Sequence, residues 1–200
     1  MKVIPKVLII SDRHDFSSDF ICVELDRRNV AYWRINRDEL PDYKIDFEPT
    51  LPRLKAVFKN VEVDINVDTL QSVYYRAPTF LRDIFQNDAD EEEQLKRTQW
   101  AAFVRSLCVF ENAKWLNNPV HTYQAEIKAY QLYKAKQIGF LTPATSITNH
   151  ISVPEFDKMA IKTIDTAVIN LKEEEGFVYT EIYNKDELLE QHYQSPFFLQ

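Results

Sequence analysis

Glycine is almost missing from this chain: Gly139 and Gly176 are the two among 200 residues, against a usual share near ~7%. Loops that cradle phosphates with backbone N–H groups, of the G-x-G-x-x-G or G-x-x-x-x-G-K kind, need glycines where the main chain approaches the anion. Neither can be written here, which excludes dinucleotide-fingerprint and P-loop chemistry; a bound nucleotide would have to be held by charged side chains instead. Cysteine is equally scarce. Cys22 and Cys108 stand alone in apolar helical patterns and read as core filling rather than as a disulfide or metal pair, which fits a cytoplasmic setting. Positive charge is in deficit, with 24 Lys and Arg against 31 Asp and Glu and a net charge of −7. Nucleic acid is therefore not an expected partner, since binding it requires a basic face. No apolar run approaches the roughly 20 residues of a spanning helix, so no membrane partner is expected, and Met1 to Pro5 is too short and broken for a signal peptide.

What is present describes an ordinary soluble domain, 45% hydrophobic and 28% charged, long enough to bury a core. Lys6-Val7-Leu8-Ile9-Ile10 is a buried-strand run followed by the polar turn Ser11 to Asp15. A helix is expected from Ser17 or Ser18, both good N-caps, ending at Asn29. Val30 to Asn36 reads as a second strand, parallel to the first through the helical crossover. Residues 43–70 carry Ala56-Val57-Phe58 and the alternating Val61, Val63 and Ile65 around Lys59-Asn60, the pattern of an antiparallel hairpin. Ser72 to Arg76 then returns to the sheet and closes at Ala77-Pro78.

The acidic run Asp88 to Glu93 precedes Trp100, Phe103, Val104, Leu107 and Cys108 at helical spacing. Negative charge there suits capping and the helix dipole. Further on, Lys114 to Pro119 reads as a short strand, and Thr122 to Ile138 as one helix with an Ala125, Ala129, Leu132, Ala135, Ile138 stripe and Gly139 at its C-terminus. Strands are expected over Pro143 to Asn149, Met159 to Ile164 and Phe177 to Ile182, with an acidic helix from Lys185 to Gln191. The final apolar run, Pro196 to Leu199, is expected to leave an unpaired edge, which points to a fragment and to self-association, with a homodimer as its simplest form.

Two lysines lie on this frame. Lys128 sits at the edge of the helical stripe, where a solvated side chain is the ordinary reading. Lys162 sits in an apolar strand on the face of Ala160 and Ile164, where it meets either water or something anionic; edge strands also use lysine against aggregation.

The run Asn117-Asn118-Pro119, Ala125-Glu126-Ile127-Lys128, Gln131-Leu132, Ala135, Gly139-Phe140, Thr142-Pro143-Ala144-Thr145, Ile147-Thr148-Asn149, Ile161-Lys162-Thr163 resembles the ATP-grasp superfamily. Within it the chain looks most like the RimK-like, MvdD-type maturases that crosslink ribosomal peptides (graspetides, including microviridins). Asp12 after the first strand, Tyr32 to Asp38 and Tyr74-Tyr75-Arg76-Ala77-Pro78 resemble that family's pre-ATP-grasp domain. The resemblance implies an α/β fold class: residues 1–117 as a pre-ATP-grasp α/β domain with a mixed sheet, and 118–200 as an incomplete ATP-grasp α+β lobe. It implies a ligase that activates peptide carboxylates as acyl phosphates, with ATP and Mg as cofactors and a ribosomal precursor peptide as partner. Lys128 and Lys162 match the family's phosphate-holding lysines, which act without glycine-loop geometry, and Gln200 stands at the threshold of the adenine-reading hinge. The family's metal ligands would lie beyond residue 200, so the 200 residues alone are not expected to be active. The competing readings are a non-catalytic module of the same fold that binds a precursor peptide or partner protein, and a doubly wound domain with surface lysines, in which Asp12 and Asp15 hint at a phospho-acceptor.

Overall fold

The computed structural model describes residues 1–76, 90–151, 156–164, 168–170, 175–177, 179–188 and 191–200. The chain divides into two compact units, Met1–Tyr123 and Gln124–Gln200. Among the described residues no helix is long and apolar enough to cross a membrane.

In the first unit, β2 (Val7–Ser11), α1 (Phe16–Arg27) and β3 (Tyr32–Asn36) follow β1 (Lys2–Val3). The expected parallel pairing is present, with Val7 opposite Tyr32 and Ser11 opposite Asn36. β7 (Ser72–Tyr75) joins the other side of β2, also parallel, and β8 (Lys114–Leu116) extends the sheet to the order β3-β2-β7-β8. The cap of α1 is Asp15, not Ser17 or Ser18: its Oδ1 accepts the Ser17 N–H at 3.1 Å. Ser18 is buried and its hydroxyl is committed elsewhere. Asn29, at φ 54°, ends the helix in the left-handed region.

The strands of residues 43–70 form a separate sheet. β4 (Lys44–Glu48), β5 (Arg53–Phe58) and β6 (Val61–Asn66) are antiparallel, and β1 runs parallel to β6 at the far edge. With β1 parallel to β6 and the other pairs antiparallel, this sheet is the mixed one expected, and the parallel strands form a second sheet beside it. Lys59 and Asn60, at φ 47° and 65°, both adopt the conformation that a tight hairpin turn requires. Alternation along β5 buries Leu54, Ala56 and Phe58 and leaves Arg53 and Lys55 outside.

Helix α2 (Glu91–Ser106) is capped by Asp90, whose Oδ1 accepts the Glu93 N–H at 2.8 Å. The part of the acidic run that is described thus serves the helix start. Ala101, Val104, Leu107 and Phe110 are buried, and the Phe103 ring stands edge-on to Phe47 at 6.0 Å. Cys108 and Cys22 are free and half-buried, not fully in the core. Ala77-Pro78 lies outside the described residues.

Around the boundary, α3 (Pro119–Glu126) and α4 (Lys128–Gln137) replace the single helix expected from Thr122 to Ile138. Ile127 takes an extended conformation (φ −70°, ψ 106°) and resets the helical phase. The continuous stripe is lost: α4 buries no residue, and Ala129 and Ile138 are exposed. Gly139, at φ 92°, does end the helix.

The second unit's sheet is antiparallel, in the order β13 (Glu181–Asn184), β10 (Lys158–Lys162), β14 (Gln191–Leu199), β9 (Ser146–Ile151). β11 (Val168–Asn170) and β12 (Glu175–Phe177) form a small hairpin. The strand expected over Phe177 to Ile182 is divided between β12 and β13. The expected acidic helix is a single turn, Lys185–Glu187, followed by β14. The last apolar run is no exposed edge: β14 pairs with β10 on one side and β9 on the other, and Phe197 and Phe198 are buried.

Asp64 is a buried carboxylate, bound by Arg53 through both oxygens (2.9 and 2.7 Å) and by Lys2 at 3.2 Å. The Arg53 hydrogen bonds hold its carboxyl well below the usual range, outweighing burial, and Lys2 adds to the effect. A depressed folded-state pKa contributes stability above the ordinary value near ~3.9 and loses it as pH falls toward the folded value. Asp64→Asn is expected to cost about 1–2 kcal/mol at neutral pH in urea unfolding, with the gap to wild type closing below about pH 4; a gap constant with pH would contradict the assignment. Leu107→Ala, at a fully buried site, should cost about 2–5 kcal/mol in the same assay.

Candidate functional site

Register decides which side chains share a surface of the second unit's sheet. Lys162 is directly opposite Phe198, Ala160 is opposite Ile182, and Ile147 is opposite Phe198 from β9. Gln200 continues the ladder: its N–H donates to the Ala160 carbonyl at 3.0 Å and its carbonyl accepts from the Ala160 N–H at 2.7 Å. Because side chains alternate, Ala160, Lys162, Phe198, Gln200, Ile147 and Ile182 fall on one face. Met159, Ile161, Phe197, Leu199 and Tyr183 fall on the other, where they pack with Ile151 and Leu188 into a core. One face is thus closed by its own cluster, and the other carries two of the expected site residues.

On that second face Lys162 is half-buried, with its Nζ 5.9 Å from the centre of the Phe198 ring. The ring is 1% exposed. A lysine stem lying on an aromatic floor keeps its ammonium at the surface and fixes its direction. The edge-lysine explanation does not describe β10, which is paired on both sides. The Gln200 amide donates to Thr145 Oγ1 at 2.9 Å, so the last residue is tied to β10 through its main chain and to the residue before β9 through its side chain.

Lys128 stands at the first position of α4, not along a helical stripe. Its Nζ donates to the carbonyl oxygen of Thr163 at 3.2 Å, the residue after Lys162. The helix and the strand therefore converge at the end of β10. A cation at a helix N-terminus opposes the helix dipole, and Ile127 supplies no side-chain cap for the first-turn N–H groups. An uncapped helix start with one ammonium on it and a second lysine on the adjoining strand is a donor set suited to a polyanion.

The first unit offers a different cluster at the carboxyl end of its parallel sheet. Asp15 Oδ2 accepts from Ser18 Oγ at 2.7 Å and Ser11 Oγ at 2.9 Å, and it pairs with Arg76 Nε at 3.3 Å. Burial would raise this carboxyl, but the Ser18 and Ser11 hydroxyls, the Arg76 charge and the Ser17 N–H outweigh it and leave it below its ordinary value. Asp12 Oδ1 accepts the His14 N–H. Both aspartates are thus engaged in holding the loop and the helix start, and the described residues contain no group of three or more His, Cys, Asp or Glu placed to hold a metal. Sequence reading took Ser11 as part of the polar turn and Ser18 as a candidate helix cap, and missed their shared bond to Asp15. A hollow of about 500 Å³ on the outer face of the β4–β6 sheet includes Lys2, Arg53 and Asp64. Asp64 is paired there with Arg53 and Lys2, and the hollow contains none of Lys128, Lys162 or Gln200.

No family model and no curated protein matches this chain. Solved structures do. The macrocyclase MdnC of Microcystis aeruginosa MRC, bound with precursor peptide MdnA, has a TM-score of 0.72 at 18% identity, over 100% of this chain and 68% of that one. The RiPP-associated ATP-grasp ligase of Chryseobacterium gregarium, in complex with ADP and a leader and core peptide, has a TM-score of 0.72 at 20% identity, over 98% and 62%. The ATP-grasp ligase PsnB, complexed with a phosphomimetic variant of minimal precursor, Mg and ADP, has a TM-score of 0.66 at 12% identity, over 99% and 65%. The chain thus spans 62 to 68% of the length of these three proteins. At such identities what is shared is the architecture: this chain has the α/β fold of the ATP-grasp peptide ligases and macrocyclases.

Proposed function

We propose that this chain is the nucleotide-holding part of an ATP-dependent ligase that joins a carboxylate to an amine or alcohol in a ribosomal precursor peptide. The observation that carries the reading is the Lys128 bond to the Thr163 carbonyl, which brings a helix-start lysine to the residue beside Lys162. In this reading Lys128 and Lys162 neutralise phosphate oxygens, and Gln200 borders the adenine on the same sheet face as Phe198. Residues 1–117 serve as the pre-ATP-grasp domain and 118–200 as the first ATP-grasp lobe. ATP, with Mg, would supply the phosphoryl group that activates a peptide carboxylate for attack. The chain's own part is to position the nucleotide and neutralise its charge, which is most of what phosphoryl transfer asks of a protein. Such a reaction belongs in the cytoplasm, where ATP and newly made peptides meet.

A second reading is a module of the same fold that binds a precursor peptide or partner protein without turning over ATP. The two readings separate on nucleotide affinity. Calorimetry with ADP and Mg is expected to show binding that Lys128→Ala and Lys162→Ala each weaken by about tenfold or more, with Lys162→Ala also removing ATP hydrolysis. Unchanged affinity in both variants would remove the lysine assignment and leave the peptide-binding module.

A further inference from the structure

One rung of the second unit's sheet joins two histidines. His150 on β9 and His192 on β14 are direct partners in the antiparallel ladder, and both are exposed. The chain has four histidines, and the other two, His14 and His121, lie in the first unit. Nothing local in the sequence brings His150 and His192 together. Their meeting is made by the same strand pairing that seats Phe198 between β10 and β9.

The geometry of such a rung suits a shared cation. Direct partners on antiparallel strands point to the same side of the sheet, with Cβ atoms about 4.5–5.5 Å apart. Imidazole nitrogens bind zinc at about 2.0–2.1 Å, which in tetrahedral geometry sets the two nitrogens about 3.3 Å from each other. Exposed rings rooted at that Cβ spacing reach this separation by choice of rotamer. The main chain at one ligand is also held in place: Thr148 Oγ1 accepts the His150 N–H at 3.0 Å and donates to the His150 carbonyl at 2.8 Å. The rung lies beyond an irregularity, because the register shifts between His192 and Phe197. The rungs at Gln191 and His192 are thus set apart from those at Phe197 to Leu199, and a metal bridging the two imidazoles would pin that end of the ladder.

We propose that His150 and His192 form a divalent transition-metal site, a two-imidazole clip across β9 and β14. Imidazole selects Zn²⁺, Cu²⁺ or Ni²⁺, whereas Mg²⁺ and Ca²⁺ take oxygen ligands. The site is therefore separate from the Mg of the nucleotide reading and does not rest on it. Among the described residues no third His, Cys, Asp or Glu joins the pair, so water or an added ligand fills the remaining positions. A catalytic zinc has three protein ligands; with two, the role of this site is to hold strands. The fold assembles the pair, so the metal binds the folded chain in preference to the unfolded one and stabilises it.

Calorimetry of the full chain with zinc chloride, in the absence of nucleotide, tests this. One site per chain is expected, in the micromolar range, with His150→Ala and His192→Ala each weakening it by about tenfold or more. His14→Ala and His121→Ala should leave it unchanged. In urea unfolding, zinc should raise the midpoint of wild type and not that of either clip variant. His150→Gln and His192→Gln serve if the alanine variants fail to fold. Zinc affinity no better than millimolar overturns the proposal, and so does binding that survives both substitutions or depends on one of the two histidines alone.

Discussion

The arrangement of the second unit rests on the main-chain ladder that seats β14 between β10 and β9. That pairing, with Ile161 opposite Leu199 and Lys162 opposite Phe198 on one side and Phe198 opposite Ile147 on the other, determines which side chains share a face. A slip of one residue would turn Phe198 and Lys162 into the cluster around Met159 and Phe197. It would bury an ammonium among apolar groups without a partner, at a large cost. The register that gives the unit its core is thus the register that keeps Lys162 and Gln200 together on the opposite face. Folding and the candidate site depend on the same hydrogen bonds.

The first unit uses polar groups in a comparable way. Asp15 closes the β2–α1 turn by receiving two buried hydroxyls, a backbone N–H and the Arg76 guanidinium. Satisfying a carboxylate this fully makes its burial tolerable and ties the end of β7 to the start of α1. Arg34 reinforces the same turn through the carbonyl of Asp12 and the carboxylate of Asp19. On the other sheet Asp64 plays a similar part with Arg53 and Lys2. In both places a carboxylate, half-buried at Asp15 and buried at Asp64, holds strands and loops together by charge-assisted bonds rather than by apolar contact.

Elements with strong local signals were legible in advance. The β2–α1–β3 unit, the Lys59-Asn60 hairpin and the helix starting at the acidic run all rest on periodicity or turn chemistry that a few neighbouring residues specify. The misreadings fall where several local outcomes are close in energy. Thr122 to Ile138 is helical throughout in propensity, yet one extended residue, Ile127, divides it. Lys185 to Gln191 looks helical by composition, but the capping box of Asn184 and Glu187 closes after one turn and the chain passes into β14. The final apolar run read as an unpaired edge because nothing within it specifies partners more than thirty residues away.

Sequence alone determined the chemistry available to this protein. With two glycines and a net charge of −7, glycine-rich phosphate loops cannot be written and a nucleic-acid face is not expected, which turned attention to lysines as the groups to meet an anion. Where those lysines stand was decided by tertiary structure. Lys128 reaches Thr163 because the break at Ile127 puts it at a helix start, and Lys162 lies over Phe198 because long-range strand pairing sets them opposite. Local propensity acts over a few residues, whereas register and helix placement are set by the burial of surfaces distant in the chain, so the candidate lysines were readable in the sequence and their placement was not.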